Sequence, residues 1–144
     1  MNGEMRDYSR EELLELSASR YLSGGFVDRS GKPLVELQTT YATAAATQFL
    51  DAELSPQELA FVYEALKQVL PMHDGAPSKR IQGAIAEAME IVRAMVKQPN
   101  NVRLKQWLGE CAASVKTEAD LEAFLDHFMA VLRQYTVIVA SASR

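Results

Sequence analysis

Between Leu121 and Tyr135 the residues Leu121, Phe124, Leu125, Phe128, Val131, Leu132 and Tyr135 recur at intervals of three and four. At ~3.6 residues per turn this spacing lays them along one stripe of a helix, whereas a strand would scatter them over both of its faces. So wide an apolar stripe must be covered, which makes a long amphipathic helix the element around which the remainder of the chain packs. Thr117 stands at its N-cap and Asp120 in its first turn, where the helix dipole favours an anion. Val137-Ile138-Val139 prolongs this helix in our reading, although β-branched residues weaken helix preference.

Five further helical segments precede it. The first runs from about Ser9 to Arg20, with Ser9 and Glu12 spaced as a capping box. Ser23-Gly24-Gly25 reverses the chain, and Asp28-Arg29-Ser30-Gly31-Lys32-Pro33 supplies turn chemistry. A second helix, about Leu34 to Ala52, places Leu37, Tyr41, Ala44, Ala45, Gln48 and Ala52 on one face. The third opens on Ser55-Pro56-Gln57-Glu58, which combines an N-cap serine, a first-turn proline and a capping glutamate, and it ends at Pro71. Residues 71–77 read as an exposed loop before a fourth helix from about Ser78 to Gln98. Pro99-Asn100-Asn101 separates that helix from a fifth, about Val102 to Val115. The expected core includes Leu59, Leu66, Ile85, Val92, Trp107, Phe124 and Phe128. The fold class predicted is all-α, a single helical bundle of five to six helices spanning 1–144, with 1–8 flexible.

At 144 residues and 48% hydrophobic composition the chain suffices for one packed domain. No apolar run reaches the ~18 residues of a membrane span, and Met1 to Tyr8 is too polar for the apolar segment of a secretion signal, so a cytoplasmic protein with no membrane partner is expected. Cys111 is the only cysteine, which removes intrachain disulfides and cysteine-based zinc frameworks. His73 and His127 lack the glutamate three residues earlier that di-iron bundles use, and Glu122 and Asp126 read as a solvated helix face. No catalytic residue, metal ligand or cofactor is therefore expected, and binding to macromolecules is the anticipated work.

Charge is distributed unevenly. Met1 to Leu66 carries five Lys/Arg against eleven Asp/Glu, a balance of −6, and Lys67 to Arg144 ten against eight, a balance of +2. Between Lys79 and Lys105 the local balance reaches +4. At ~100° per residue, with Ile81 at 0°, Lys79, Arg93 and Lys97 fall at ~120° to 160°, on one flank with Gln82 and Ala86 close by and Glu90 on its margin. That flank offers a smooth strip for a phosphate backbone, and Arg103 and Lys105 extend it at the start of the next helix, where free backbone amides also favour anions.

The order of features from Gly25 to Val137 resembles the small subunit of type III-A CRISPR effector (Csm) complexes. The resemblance rests on the aromatic-containing turn Gly25-Phe26-Val27-Asp28 through Leu34, the alanine-rich helix Tyr41 to Phe49, and Leu54-Ser55 with Leu59, Tyr63 and Lys67. It continues in a long helix carrying Arg93 and in the spaced Phe124, Phe128, Ala130 and Tyr135. This sequence departs from the family at Ala60 and Ala86, where basic residues are usual, at Met89 in place of a tyrosine, and around Met129 and Arg133-Gln134. The resemblance implies a non-catalytic subunit that contacts guide and target RNA and docks on the backbone and large subunits, with RNA contact carried by Lys67 and Arg93. Lys79, Lys97, Arg103 and Lys105 join them on charge and geometry. Self-association is also expected, with Tyr21, Phe26 and Val137 to Val139 as docking candidates outside the clearest stripes. The other reading is a helical adaptor or chaperone that uses an apolar groove and never meets nucleic acid.

Overall fold

The computed structural model describes residues 9–51, 54–95 and 102–142. Among these, seven α-helices and two short 3-10 turns form an all-α bundle, and the only strand-like pairing is an isolated bridge between Val27 and Pro33. In chain order the helices are α1 (Arg10–Glu15), α2 (Ala18–Tyr21), α3 (Thr40–Asp51), α4 (Pro56–Val69), α5 (Pro77–Met95), α6 (Val102–Ser114) and α7 (Glu118–Ala142). α7 is the spine: α3 and α4 pack along it, α5 packs on both α4 and α6, and the short α1 and α2 lie against α3 and α6 respectively.

The helix starts follow local chemistry. Ser9 and Glu12 form the reciprocal capping box, and Thr117 Oγ1 accepts from Asp120 N while the Asp120 carboxylate accepts from the amides of Lys116 and Thr117. At α4 only half of the expected device forms. Ser55 Oγ accepts from Glu58 N at 3.0 Å, but Glu58 turns inward, leaving its buried Oε2 without a partner, and burial raises its pKa.

Three expectations about helix extent need correction. The segment from Ser9 to Arg20 is not one helix: it breaks at Leu16–Ser17, where the carbonyls of Leu13 and Leu16 are taken by Gln48 Nε2, each at 3.0 Å. A distant amide thus satisfies oxygens that a continuous helix would have paired internally. The alanine-rich helix begins at Thr40, not Leu34, after a 3-10 turn at Val35–Leu37 whose Leu37 carbonyl goes to His127. Leu70–Met72 is likewise a 3-10 turn and Pro77 already belongs to α5, so the exposed loop narrows to 73–76, pinned by His73 Nε2 on Glu87 at 2.8 Å. Residues 1–8 and Gln98 lie outside the described residues. The helix does run through Val137 to Val139, as expected.

Trp107, Phe124, Phe128, Leu59, Leu66 and Val92 are buried, whereas Ile85 is only partly buried against the core. Phe128 sits among Tyr63, Trp107 and Phe124 at ring-centroid distances of 5.1, 5.2 and 6.0 Å. Tyr21 and Phe26, expected as docking residues, are core: Tyr21 stacks on Tyr41 at 4.6 Å and Phe26 meets Phe124 edge-on at 6.2 Å.

Candidate nucleic-acid interface

α5 presents its apolar side, Ile81, Ala84, Ala88, Met89 and Val92, to the bundle. Placed at ~100° per residue, Lys79, Gln82, Ala86 and Arg93 lie on the flank turned away from it, and all four are exposed. Lys79 and Arg93 are ~21 Å apart along the axis, far enough to meet separate phosphates of one strand. Between them lie Gln82 and the small Ala86, with the exposed Glu90 on the margin of the strip beside Arg93.

The individual cations differ in what holds them. Arg93 Nη1 lies 3.6 Å from Glu90 Oε1, and both side chains are about two-thirds or more exposed, at 66% and 71%. An exposed pair of this kind contributes ~1 kcal/mol at most and releases Arg93 readily to a phosphate. Lys67, on α4, stands 5.4 Å over the ring of buried Tyr63, a cation–π contact that fixes where its ammonium projects. Lys79, Arg103 and Lys105 are exposed and form no ion pair among the described residues. Lys97 lies outside the described residues.

The sequence-predicted set does not form one patch. Arg103 and Lys105 are two residues apart on α6 and project ~200° from one another. Arg103 opens on a small cleft shared with Ser17, Gln48 and Glu110, where an acidic neighbour tempers its charge. Lys105 lies on the opposite flank of α6. Lys67 belongs to α4, which packs on α5 and α7 and is not among the main contacts of α6.

A second polar arrangement was not anticipated. Trp107 Nε1–H donates to Tyr21 Oη at 2.8 Å, Tyr21 Oη donates to His127 Nε2 at 2.7 Å, and His127 Nδ1–H donates to the Leu37 carbonyl at 2.6 Å. The directions follow from chemistry, since a carbonyl only accepts and an indole N–H only donates. Burial pushes the His127 pKa down to about 4, so the ring is neutral in this chain of bonds, and burial also raises Tyr21 well above its usual value. The signal was present in the sequence: His127 shares the stripe of Phe124, Phe128 and Val131, so its face is buried. Cys111 is fully buried, its thiol pushed up by desolvation. Among the described residues no group of three or more His, Cys, Asp or Glu gathers to hold a metal ion, and no helix is long and apolar enough to cross a membrane. Compared with protein-family models, curated proteins and solved structures, the chain matches none of them.

Proposed function

We propose that this chain is a non-catalytic small subunit of a type III-A CRISPR RNA-guided effector complex, with the outer flank of α5 laid along the backbone of guide or target RNA. The observation that carries the reading is the exposed strip Lys79, Gln82, Ala86, Arg93 on a single helix of 19 residues, cationic at both ends, with Glu90 on its margin loosely paired to Arg93. The resemblance of Gly25 to Val137 to the Csm small subunit supplies the biological setting. Phosphate contacts give affinity and position without reading bases, which suits a complex that delegates sequence recognition to base pairing. Arg93 and Lys67 are the leading contacts, Lys79, Lys97 and Lys105 add charge, and Arg103 is the weakest of the set because it shares its cleft with Glu110. The backbone and large subunits of the complex are the protein partners.

The test is a salt titration of RNA binding by the assembled complex. Each phosphate neutralised on a single strand contributes about −0.7 to the slope of log affinity against log salt, so Arg93→Ala with Lys97→Ala should flatten the dependence by roughly 1.4. The loss should be alike for unrelated RNA sequences, and Glu90→Ala should leave affinity unchanged or raise it. Because the Arg93–Glu90 pair is exposed, the double variant should melt near the wild-type temperature. A folded double variant with wild-type slope would remove this flank from the interface.

A further inference from the structure

A groove of about 620 Å³ lies where the turn after α2 meets the corner between α6 and α7. Leu22, Val27 and Ala113 give it an apolar floor, Gly24 and Gly25 leave one wall without side chains, and Lys116 stands at its rim. Two of its lining residues are carboxylates already engaged by the fold. Glu110 accepts from the amide of Ser19 at 3.1 Å and from Gln106 Nε2 at 3.3 Å, and Asp120 caps α7. Two carboxylates against one lysine make the groove unsuited to a phosphate backbone.

The second observation is a free main-chain edge. The bridge between Val27 and Pro33 is made by Leu34 N–H to the Phe26 carbonyl at 3.0 Å and Asp28 N–H to the Lys32 carbonyl at 2.8 Å. In this arrangement Val27 and Pro33 form the pair not bonded to each other, so their own polar groups point outward on opposite sides. On one side Pro33 has no N–H to offer, which closes that edge to further pairing. On the other, the Val27 N–H and carbonyl make no hydrogen bond among the described residues. Val27 lines the groove while Lys32, Pro33 and Leu34 do not, so the residue that carries the open edge is the one that borders it.

We propose that the groove receives an extended, uncharged segment of a partner protein, which pairs its main chain with Val27 and sets an apolar side chain against Leu22 and Ala113. Edge pairing gives such an interface its affinity through the backbone, and the floor selects alternate side chains. The segment's site is separate from the cationic flank of α5, so its failure and the failure of the RNA reading are distinguishable.

The experiment titrates the isotopically labelled full chain with a capped Thr-Val-Thr-Val-Thr peptide and follows amide resonances. Those of Gly24, Val27 and Ala113 should shift saturably, and the same peptide with N-methylated backbone should bind at least tenfold more weakly. A side chain at Gly24 meets nothing within 4 Å and Ala113 is exposed, so Gly24→Leu and Ala113→Trp fill the groove at independent, fold-tolerant positions. Each should reduce peptide affinity at least tenfold while leaving the rest of the spectrum and the salt slope for RNA unchanged. Absence of shifts, equal binding of the N-methylated peptide, or an oligouridine that moves these same amides would overturn the proposal.

Discussion

Lowering the pH should destabilise this protein through one ring, that of His127. The ring is buried with its Nδ1–H on the Leu37 carbonyl and its Nε2 accepting from Tyr21, and its pKa falls from 6.5 to about 4. Below pH 6.5 the unfolded chain binds a proton at this position, whereas the folded chain does not until about pH 4. Stability from this group is therefore complete above pH 6.5 and declines as the pH falls, by ~1.4 kcal/mol per unit, to a total of about 3 kcal/mol near pH 4. Against a typical domain stability of ~5 to 15 kcal/mol that is a large fraction. Urea denaturation of wild type and His127→Asn at pH 7 and pH 5 measures it, since asparagine retains a donor for Leu37 and does not titrate. Subtracting the two removes the carboxylates, including Glu58, whose raised pKa acts in the opposite direction. The wild-type advantage should shrink by roughly 2 kcal/mol between those pH values. Parallel curves, or a His127 imidazole that titrates near 6.5 in the native protein, would refute the reasoning.

Tyr21→Phe deletes one oxygen and leaves both Trp107 Nε1–H and His127 Nε2 buried without a partner. At ~1 to 3 kcal/mol for each orphaned group, the cost should be about 2 to 6 kcal/mol in urea unfolding, and an unchanged midpoint would mean the bridge does not exist. Phe128→Ala should cost roughly 3 to 5 kcal/mol, because its ring is fully buried among three other aromatic side chains and truncation leaves a cavity. A chemical-denaturation midpoint equal to wild type would contradict that packing.

The features legible in the sequence are those decided within a turn or two of helix. Ser9, Ser55 and Thr117 announce helix starts because a cap acts on an amide three residues away, and the stripe from Leu121 to Tyr135 shows itself because periodicity is local. The exposed flank of α5 is legible for the same reason, and the ~200° between Arg103 and Lys105 follows from helical periodicity alone. What escapes depends on distant partners. The break at Leu16 follows from Gln48, 32 residues away, and the late start of α3 accompanies the bond from Leu37 to His127, 90 residues away. Tyr21 and Phe26 look spare because each lies outside a long stripe, yet a short helix and a turn carry them into the core. The groove beside Val27 combines three separate segments and has no signature in any one of them.

These distant bonds also determine how the two halves of the chain relate electrostatically. Were the acidic first half a loosely attached appendage, its −6 could drift over the +2 half and cancel it. Gln48 holds α1 through Leu13 and Leu16, Tyr21 ties α2 to Trp107 on α6 and His127 on α7, and Tyr135 shares its one O–H between the carbonyls of Phe49 and Leu54 at the junction of α3 and α4. The acidic residues of α1 and the cations of α5 are thus carried on one packed body. With fields screened over ~8 Å at physiological salt, a phosphate beside Lys79 or Arg93 responds to those cations and little to the distant carboxylates. A net charge of −4 is then no obstacle to the RNA contact proposed for α5.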